Sequence, residues 1–273
     1  MPHYRVKTRQ SSEDCEDDSG YNSGYESDGG TEYSPVRPLG RGQYAQARLF
    51  ESHSKNALTV LNSAKERGDL GEARIKYRFF QTVYPDKSSY LFEMGDDYRL
   101  VVPYIPYIPY KKLKIDTPEL HRTLFYSACQ ALKDCHDKGM IVLDLKTDSI
   151  YYDPTTNKSY LIDGGLSAVA GTCVDPPAFQ KRSQEIVDEY RKKYWHIPPE
   201  CWSVRPNAVL ATPQMDIYCL GVLMLDLFSN PSSEIKALID SCLEQDPEKR
   251  PTLDGLIISL ESINISEKEV VLS

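Results

Sequence analysis

Apolar residues follow two different rhythms along this chain. Between residues 44 and 61 they alternate in short runs that read as two strands around a turn at His53 to Asn56, with Ala57-Leu58-Thr59-Val60-Leu61 suited to a half-buried strand. Residues 63–83 take a helical spacing through Leu70, Ala73, Phe80 and Val83. SSYLFEM and YRLVVPYI then read as two more strands around Gly95-Asp96-Asp97. Beyond residue 110 the helical period dominates. Pro118 to Lys138 carries Leu120, Leu124, Ala128, Ala131 and Leu132 on one face. Two short strand-like pieces follow at Ser149–Tyr152 and Ser159–Ile162, then a long irregular segment, a very apolar helix at about 214–228, and helices near 233–244 and 252–262. The expected fold class is α+β, a small β-rich lobe followed by a larger α-helical lobe. Ligands bind preferentially in the cleft such an arrangement creates.

Composition changes this picture at one end. The formal charge is −8, yet residues 11–34 alone carry eight acids and no Lys or Arg, so the acidity belongs mostly to a leader. That leader, with no aliphatic residue, cannot bury enough apolar surface to offset its ordering entropy, and order is expected to begin near Pro38. It reads as a solvating tail or as a docking and phosphoacceptor segment. The acidic balance argues against nonspecific binding of nucleic acid. No transmembrane segment is expected, because the best apolar run, Ile217 to Phe228, is short and contains Asp226. The N-terminal stretch MPHYRVKTRQ lacks the apolar core of a secretory signal. Seven cysteines without a C-x-x-C pair fit reduced core thiols, hence a cytoplasmic setting, which includes the host cytosol if the protein is an exported bacterial effector.

Three local patterns carry chemistry. Gly40-Arg41-Gly42 precedes a strand, and two glycines at that spacing let backbone N–H groups approach phosphates, although an ordinary turn has the same look. In Leu143-Asp144-Leu145-Lys146, an acid and a cation two residues apart can face one site on a loop. Asp163, ending an apolar strand at Gly164-Gly165, adds a second carboxylate. Asp144 as proton acceptor, Lys146 as phosphate clamp and Asp163 as metal ligand would together suit phosphoryl transfer.

With these residues in place, the chain resembles a divergent eukaryotic-type protein kinase over about residues 38–262. ALKDCHDKGMIVLDLKTDSIYY resembles the kinase helix and catalytic loop, and MDIYCLGVLMLDLF the central buried helix, with Asp216 at its usual acid. CLEQDPEKRPTLDGL resembles the segment ending D-P-x-x-R-P, and Ile197-Pro198-Pro199-Glu200 resembles A-P-E. The resemblance implies a structural pair between Glu200 and Arg250. It also implies a bilobal kinase-like fold divided into an acidic tail (1–37), an N-lobe (38–102), a hinge (103–110), a C-lobe (111–263) and a C-terminal tail (264–273).

Several positions depart from the family. Val142 and Leu143 stand where His and Arg precede the catalytic Asp, which removes the usual docking point for an activation-segment phosphate. Ser149 falls at the second metal-binding position, beside Asp148, and Asp163-Gly164-Gly165 loses the packing Phe. On the third strand Ala57 and Thr59 match the Ala-x-Lys pair, so the phosphate-binding Lys is missing. Arg41, Arg48 or Lys65 are candidate replacements, and Glu72 is the candidate for the Lys's usual helix partner. The repeat from Pro103 to Tyr110 reads as the hinge or as a polyproline II partner segment. In the hinge register, Pro103 supplies adenine with a C=O and Ile105 with an N–H. The short link between the helices at 214–228 and 233–244 lacks the docking helix kinases place there, which resembles compact bacterial effector kinases. Residues 179–195 are expected to form a basic-faced helix, a solvated face or a site for an anionic ligand.

The resemblance implies a Ser/Thr protein kinase using ATP with Mg²⁺ or Mn²⁺. Asp144 and Lys146 would be its catalytic residues, Asp163 and Ser149 its metal ligands, and Gly40, Gly42, Ala57, Pro103 and Ile105 its nucleotide contacts. The partner would be a protein substrate, with an activating partner also open. Two alternatives stand beside it: a pseudokinase acting as a binding module, and a kinase-fold transferase of another group such as AMP.

Overall fold

The structure, a computed structural model, describes residues 5–6, 25–26, 32–41, 45–53, 57–63, 70–87, 89–94, 97–174, 188–189, 191–192, 194–202 and 209–263. The chain divides into two compact units, Met1–Tyr104 and Ile105–Ser273. The first is built on a β-sheet and the second is mostly helical, the mixed α+β class expected.

The first unit holds strands β1 (Arg5–Val6), β2 (Tyr25–Glu26), β3 (Glu32–Arg41), β4 (Ala45–Ser52), β5 (Ala57–Ser63), β6 (Tyr90–Met94) and β7 (Asp97–Pro103), with helix α1 (Leu70–Val83) between β5 and β6. They form one antiparallel sheet in the order β1-β2-β3-β4-β5-β7-β6. Strand β3 therefore extends ahead of Pro38. Tyr33 is why: it is buried with Phe50, Val60 and Val101, and Tyr90 and Phe92 pack on that cluster. One aromatic anchor in β3 ties the end of the acidic leader to the sheet.

The strand register sorts side chains by face. Val60 lies opposite Val101 and Arg48, so these share the Tyr33–Phe50 face. Thr59 lies opposite Leu49 and Val102, and Leu61 opposite Ala47 and Leu100, which places these residues on the other face. Tyr98 and Leu100 to Pro103 of β7 are all buried, as befits a strand covered on both faces. Helix α1 lies against β6 and β7 and buries Ala73, Phe79, Phe80 and Val83. The helix expected from residue 63 is thus described from Leu70, residues 64–69 lying outside the described set.

In the second unit, β8 (Ile108–Pro109), β10 (Ile150–Asp153) and β11 (Lys158–Leu161) form a small sheet. Helix α2 (Pro118–His136) starts at Thr117, whose Oγ1 accepts from the Leu120 N–H, with Pro118 where its missing donor is not needed. It gives way to Gly139 at φ +72°, a left-handed position that favours glycine. Strand β9 (Met140–Ile141) pairs with β12 (Ala168–Val169), and β13 (Cys173–Val174) with β14 (Val209–Leu210). Helix α3 (Pro213–Leu227) is apolar nearly all round, buries Met215 through Met224 except Tyr218, and packs on both α2 and α4 (Ser233–Cys242). A Cβ built on Gly221 would stand 2.7 Å from Cys242 Cβ, so this glycine sets how closely α3 and α4 approach. Helix α5 (Leu253–Ser262) is capped by Thr252 and packs against α2.

Candidate functional site

The residues that bear chemistry in the second unit gather on the loop between β9 and β10, and the loop is shaped by a carboxylate beneath it. Asp216, in the first turn of α3, is fully buried. Its Oδ1 accepts the Leu143 N–H at 2.7 Å and its Oδ2 accepts the Val142 N–H at 2.8 Å. His136, from the last turn of α2, bonds Oδ2 at 2.8 Å. Leu143 adopts φ +66°, a left-handed conformation that a branched side chain occupies only where its surroundings over-determine it. Here the Asp216 carboxylate holds its N–H, and the Cys219 thiol lies 3.6 Å from its carbonyl oxygen. The next residue is Asp144. The buried acid thus sets the backbone direction from which the candidate base projects.

Asp144 is gripped on both carboxylate oxygens. Lys146 Nζ lies 2.7 Å from Oδ2 and His196 Nε2 lies 3.0 Å from Oδ1. Burial alone would raise the Asp144 pKa. The His196 hydrogen bond and the Lys146 ammonium outweigh it and hold the carboxyl below its usual range. Lys146 shows the converse: burial opposes its charge, but Asp144, then Asp163 and Asp148, raise its pKa above the ordinary value. So Lys146 stays a cation among three carboxylates. Asp163 sits just past β11, its Oδ1 accepting the Gly165 N–H at 3.1 Å, a turn that fixes the start of the Gly-Gly segment.

Ser149, expected as a metal ligand, is engaged by the loop itself. Its buried Oγ accepts the Lys146 N–H at 2.8 Å and lies 2.9 Å from the Lys146 carbonyl oxygen and 3.3 Å from that of Asp144. It braces the turn that carries both catalytic candidates. Asp148 beside it is exposed and 3.2 Å from Lys111. Among the described residues, no group of three or more His, Cys, Asp or Glu could hold a metal ion. A cation at Asp163 would take its remaining ligands from phosphate and water, a coordination that suits Mg²⁺.

Glu200 and Arg250 meet as two parallel bonds of 2.7 and 2.8 Å. The fully buried guanidinium also donates to the carbonyls of Gln214 and Glu244, each at 2.8 Å, and lies 5.0 Å from the Tyr218 ring centre. Leu143 joins an apolar cluster with Ile141, Cys201, Ala211 and Met215, on which Ala168, Val174, Ile197 and Val209 pack.

In the first unit, Gly40 lies on β3 opposite Ala47, while Gly42 lies outside the described residues. Ala57 lies on β5 opposite Glu51, and Thr59 lies opposite Leu49 and Val102. Of the proposed replacement cations, Arg48 lies on the opposite face from Thr59, and Lys65 and the side chain of Arg41 lie outside the described residues. Glu72 is 2.7 Å from Lys76 on its own helix, whereas the helix-to-strand pair is Arg74 with Glu93, at 2.6 and 2.7 Å. Pro103 ends β7 and Ile105 is buried at the start of the second unit. The basic-faced helix expected at 179–195 lies largely outside the described residues.

Sequence reasoning missed His196 and His136. His196 lies just ahead of Ile197-Pro198-Pro199-Glu200 and His136 inside ALKDCHDKGMIVLDLKTDSIYY, but their partners are 52 and 80 residues away.

No family model matches the chain. Similarity to individual proteins is low and consistent in kind. The chain is 24% identical over 261 residues to the mouse (Mus musculus) serine/threonine-protein kinase Nek9, covering 82% of this chain and 26% of that protein. It is 26% identical over 160 residues to serine/threonine-protein kinase ppk34 of Schizosaccharomyces pombe, covering 51% and 43%. It is 24% identical over 253 residues to the probable serine/threonine-protein kinase MARK-A of Dictyostelium discoideum, covering 82% and 23%. The chain therefore spans between about a quarter and under half the length of these relatives. No helix among the described residues is long and apolar enough to cross a membrane.

Proposed function

From a chain that carries a divergent protein kinase-like domain, we propose an ATP-dependent protein kinase acting on Ser/Thr hydroxyls, with Asp144 and Lys146 as its catalytic residues. The observation that carries this reading is the Asp144–Lys146 pair at 2.7 Å on a loop whose backbone is held by buried Asp216. An ionised Asp144 orients the acceptor hydroxyl and takes its proton as the oxygen attacks the γ-phosphorus, the bond from that phosphorus to the bridging β-phosphate oxygen breaks, and ADP leaves. Lys146, kept charged by three carboxylates, balances the charge that spreads over the transferring phosphoryl. Asp163 would hold Mg²⁺ or Mn²⁺, which supplies charge neutralisation to the nucleotide phosphates. The nucleotide contacts assigned by resemblance, Gly40, Gly42, Ala57, Pro103 and Ile105, belong to the same proposal, as do a protein substrate and an intracellular site of action.

One observation favours a pseudokinase as the second reading. Thr59 stands at the strand position of the phosphate-binding Lys, and Arg48 is on the wrong face to replace it. Loss of such a clamp removes on the order of 10²–10³ in rate.

The test is incubation of the full chain with a protein acceptor, Mg²⁺ or Mn²⁺, and ATP labelled at the γ or, separately, the α phosphorus. Label from γ alone, lost in Asp144→Ala and Asp163→Ala while circular dichroism is unchanged, is the expected result. Transfer of the α label would identify nucleotidyl transfer instead, and transfer of neither overturns the kinase reading.

A further inference from the structure

We propose that His196 is a positioning residue for Asp144: with Lys146 on the second oxygen, its imidazole locks the carboxylate in the one rotamer that faces an incoming hydroxyl. The inference rests on the kinase reading for its consequence, and on geometry for its substance. An ionised carboxylate only accepts, so the 3.0 Å contact is a bond from the His196 Nε2–H to Asp144 Oδ1. Lys146 takes Oδ2 at 2.7 Å. With a donor on each oxygen, rotation of the carboxylate breaks two charge-assisted bonds at once. Both side chains of the new contact are about seven-eighths buried, which limits competition from water.

The imidazole is itself held. The Ile197 N–H bonds the Tyr194 carbonyl, closing a turn around His196, and the Tyr194 ring meets the imidazole edge to face at 6.2 Å. Just beyond, Ile197 packs on the cluster containing Leu143, its carbonyl accepts the Trp202 Nε1–H at 3.1 Å, and Glu200 is clamped by Arg250. The segment carrying His196 is therefore anchored to the core independently of the bond to Asp144. A rigid second support of this kind is what a site needs to keep a reacting group within about half an ångström of its working position.

Steady-state kinetics of the full chain, with ATP and a protein acceptor, compare His196→Ala with His196→Gln, whose amide Nε2–H reaches about as far as the imidazole. His196→Ala is expected to lower kcat about 10–100-fold with the KM for ATP unchanged, and His196→Gln to restore most of it. A kcat within twofold of wild type for His196→Ala, or equal losses in both variants, overturns the proposal. So does a loss explained by a smaller folded fraction, measured by urea denaturation. A second measurement does not depend on transfer. The wild-type imidazole N–H of His196 should give a slowly exchanging, downfield ¹⁵N-correlated resonance that Asp144→Ala abolishes. Its absence overturns the grip whatever the activity. If the resonance is present and wild type transfers no γ-phosphoryl, the grip stands and it is the kinase reading that fails.

Discussion

In the helical unit the decisive charges are buried and bonded to backbone or to one another, whereas the sheet unit's helix-to-strand ion pair lies at the surface. Asp216 is fully buried and holds two loop N–H groups, and Arg250 is fully buried and bonds Glu200 and two carbonyls. The sheet unit's helix-to-strand pair, Arg74 with Glu93, is equally short but 59% and 40% exposed. Its Glu93 carboxyl is held below the usual range by that guanidinium, an effect that water and salt screen. Distance alone does not measure an ion pair. A buried pair acts as architecture because its members have nothing else to bond; an exposed pair exchanges one set of partners for water.

The sharpest test of this contrast is Arg250→Met. Removing the guanidinium leaves the Glu200 carboxylate and the carbonyls of Gln214 and Glu244 without their donor, and a loss of about 3–5 kcal/mol is expected in urea denaturation. A loss no larger than that of a surface substitution would break the comparison. Gly221→Ala probes the same unit without charge. The added methyl meets Cys242 Cβ at 2.7 Å, so α3 and α4 must separate, at a cost of about 1–3 kcal/mol in the same experiment. The smallest effect belongs to Arg74→Ala, expected to leave the thermal midpoint unchanged within error, and a clear drop would show that the sheet unit also leans on its ion pair.

Acid should act on the site through Asp144. Its folded pKa is lowered, so its contribution to stability is present above the ordinary carboxylate value of about 3.9 and is lost as pH falls through the depressed folded value. Asp144→Asn should therefore flatten the acid limb of stability against pH, and an unchanged limb would place that fall on other carboxylates.

Much of the fold was legible because the periods of burial are local. The alternation at Ala57 to Leu61 and the helical faces of Pro118–His136 and Pro213–Leu227 need only neighbouring residues to be seen. The extension of β3 ahead of Pro38 was not, because Tyr33 is one of three tyrosines in an acidic stretch, and what buries it is Phe50, Val60 and Val101 from three other strands. Among site residues, Asp144, Lys146 and Asp163 stood out through local spacing, and Glu200 and Arg250 through segments that resemble a known family. His196 did not, since nothing in its own neighbourhood points to a carboxylate 52 residues away. Ser149 was assigned to metal by position, and only the loop's curvature, which returns its hydroxyl to the Lys146 backbone, gives it another task.

Residue order alone is enough to specify the alternation of strands and helices and which residue types could carry phosphoryl chemistry, because periodicity and chemical identity are local properties. Which oxygen of Asp144 each cation holds, which face of the sheet Arg48 occupies, and why Leu143 tolerates a left-handed backbone depend on contacts between distant segments. Those contacts exist once the buried acid of α3 lies under the loop, since a desolvated carboxylate must find donors and the loop supplies them.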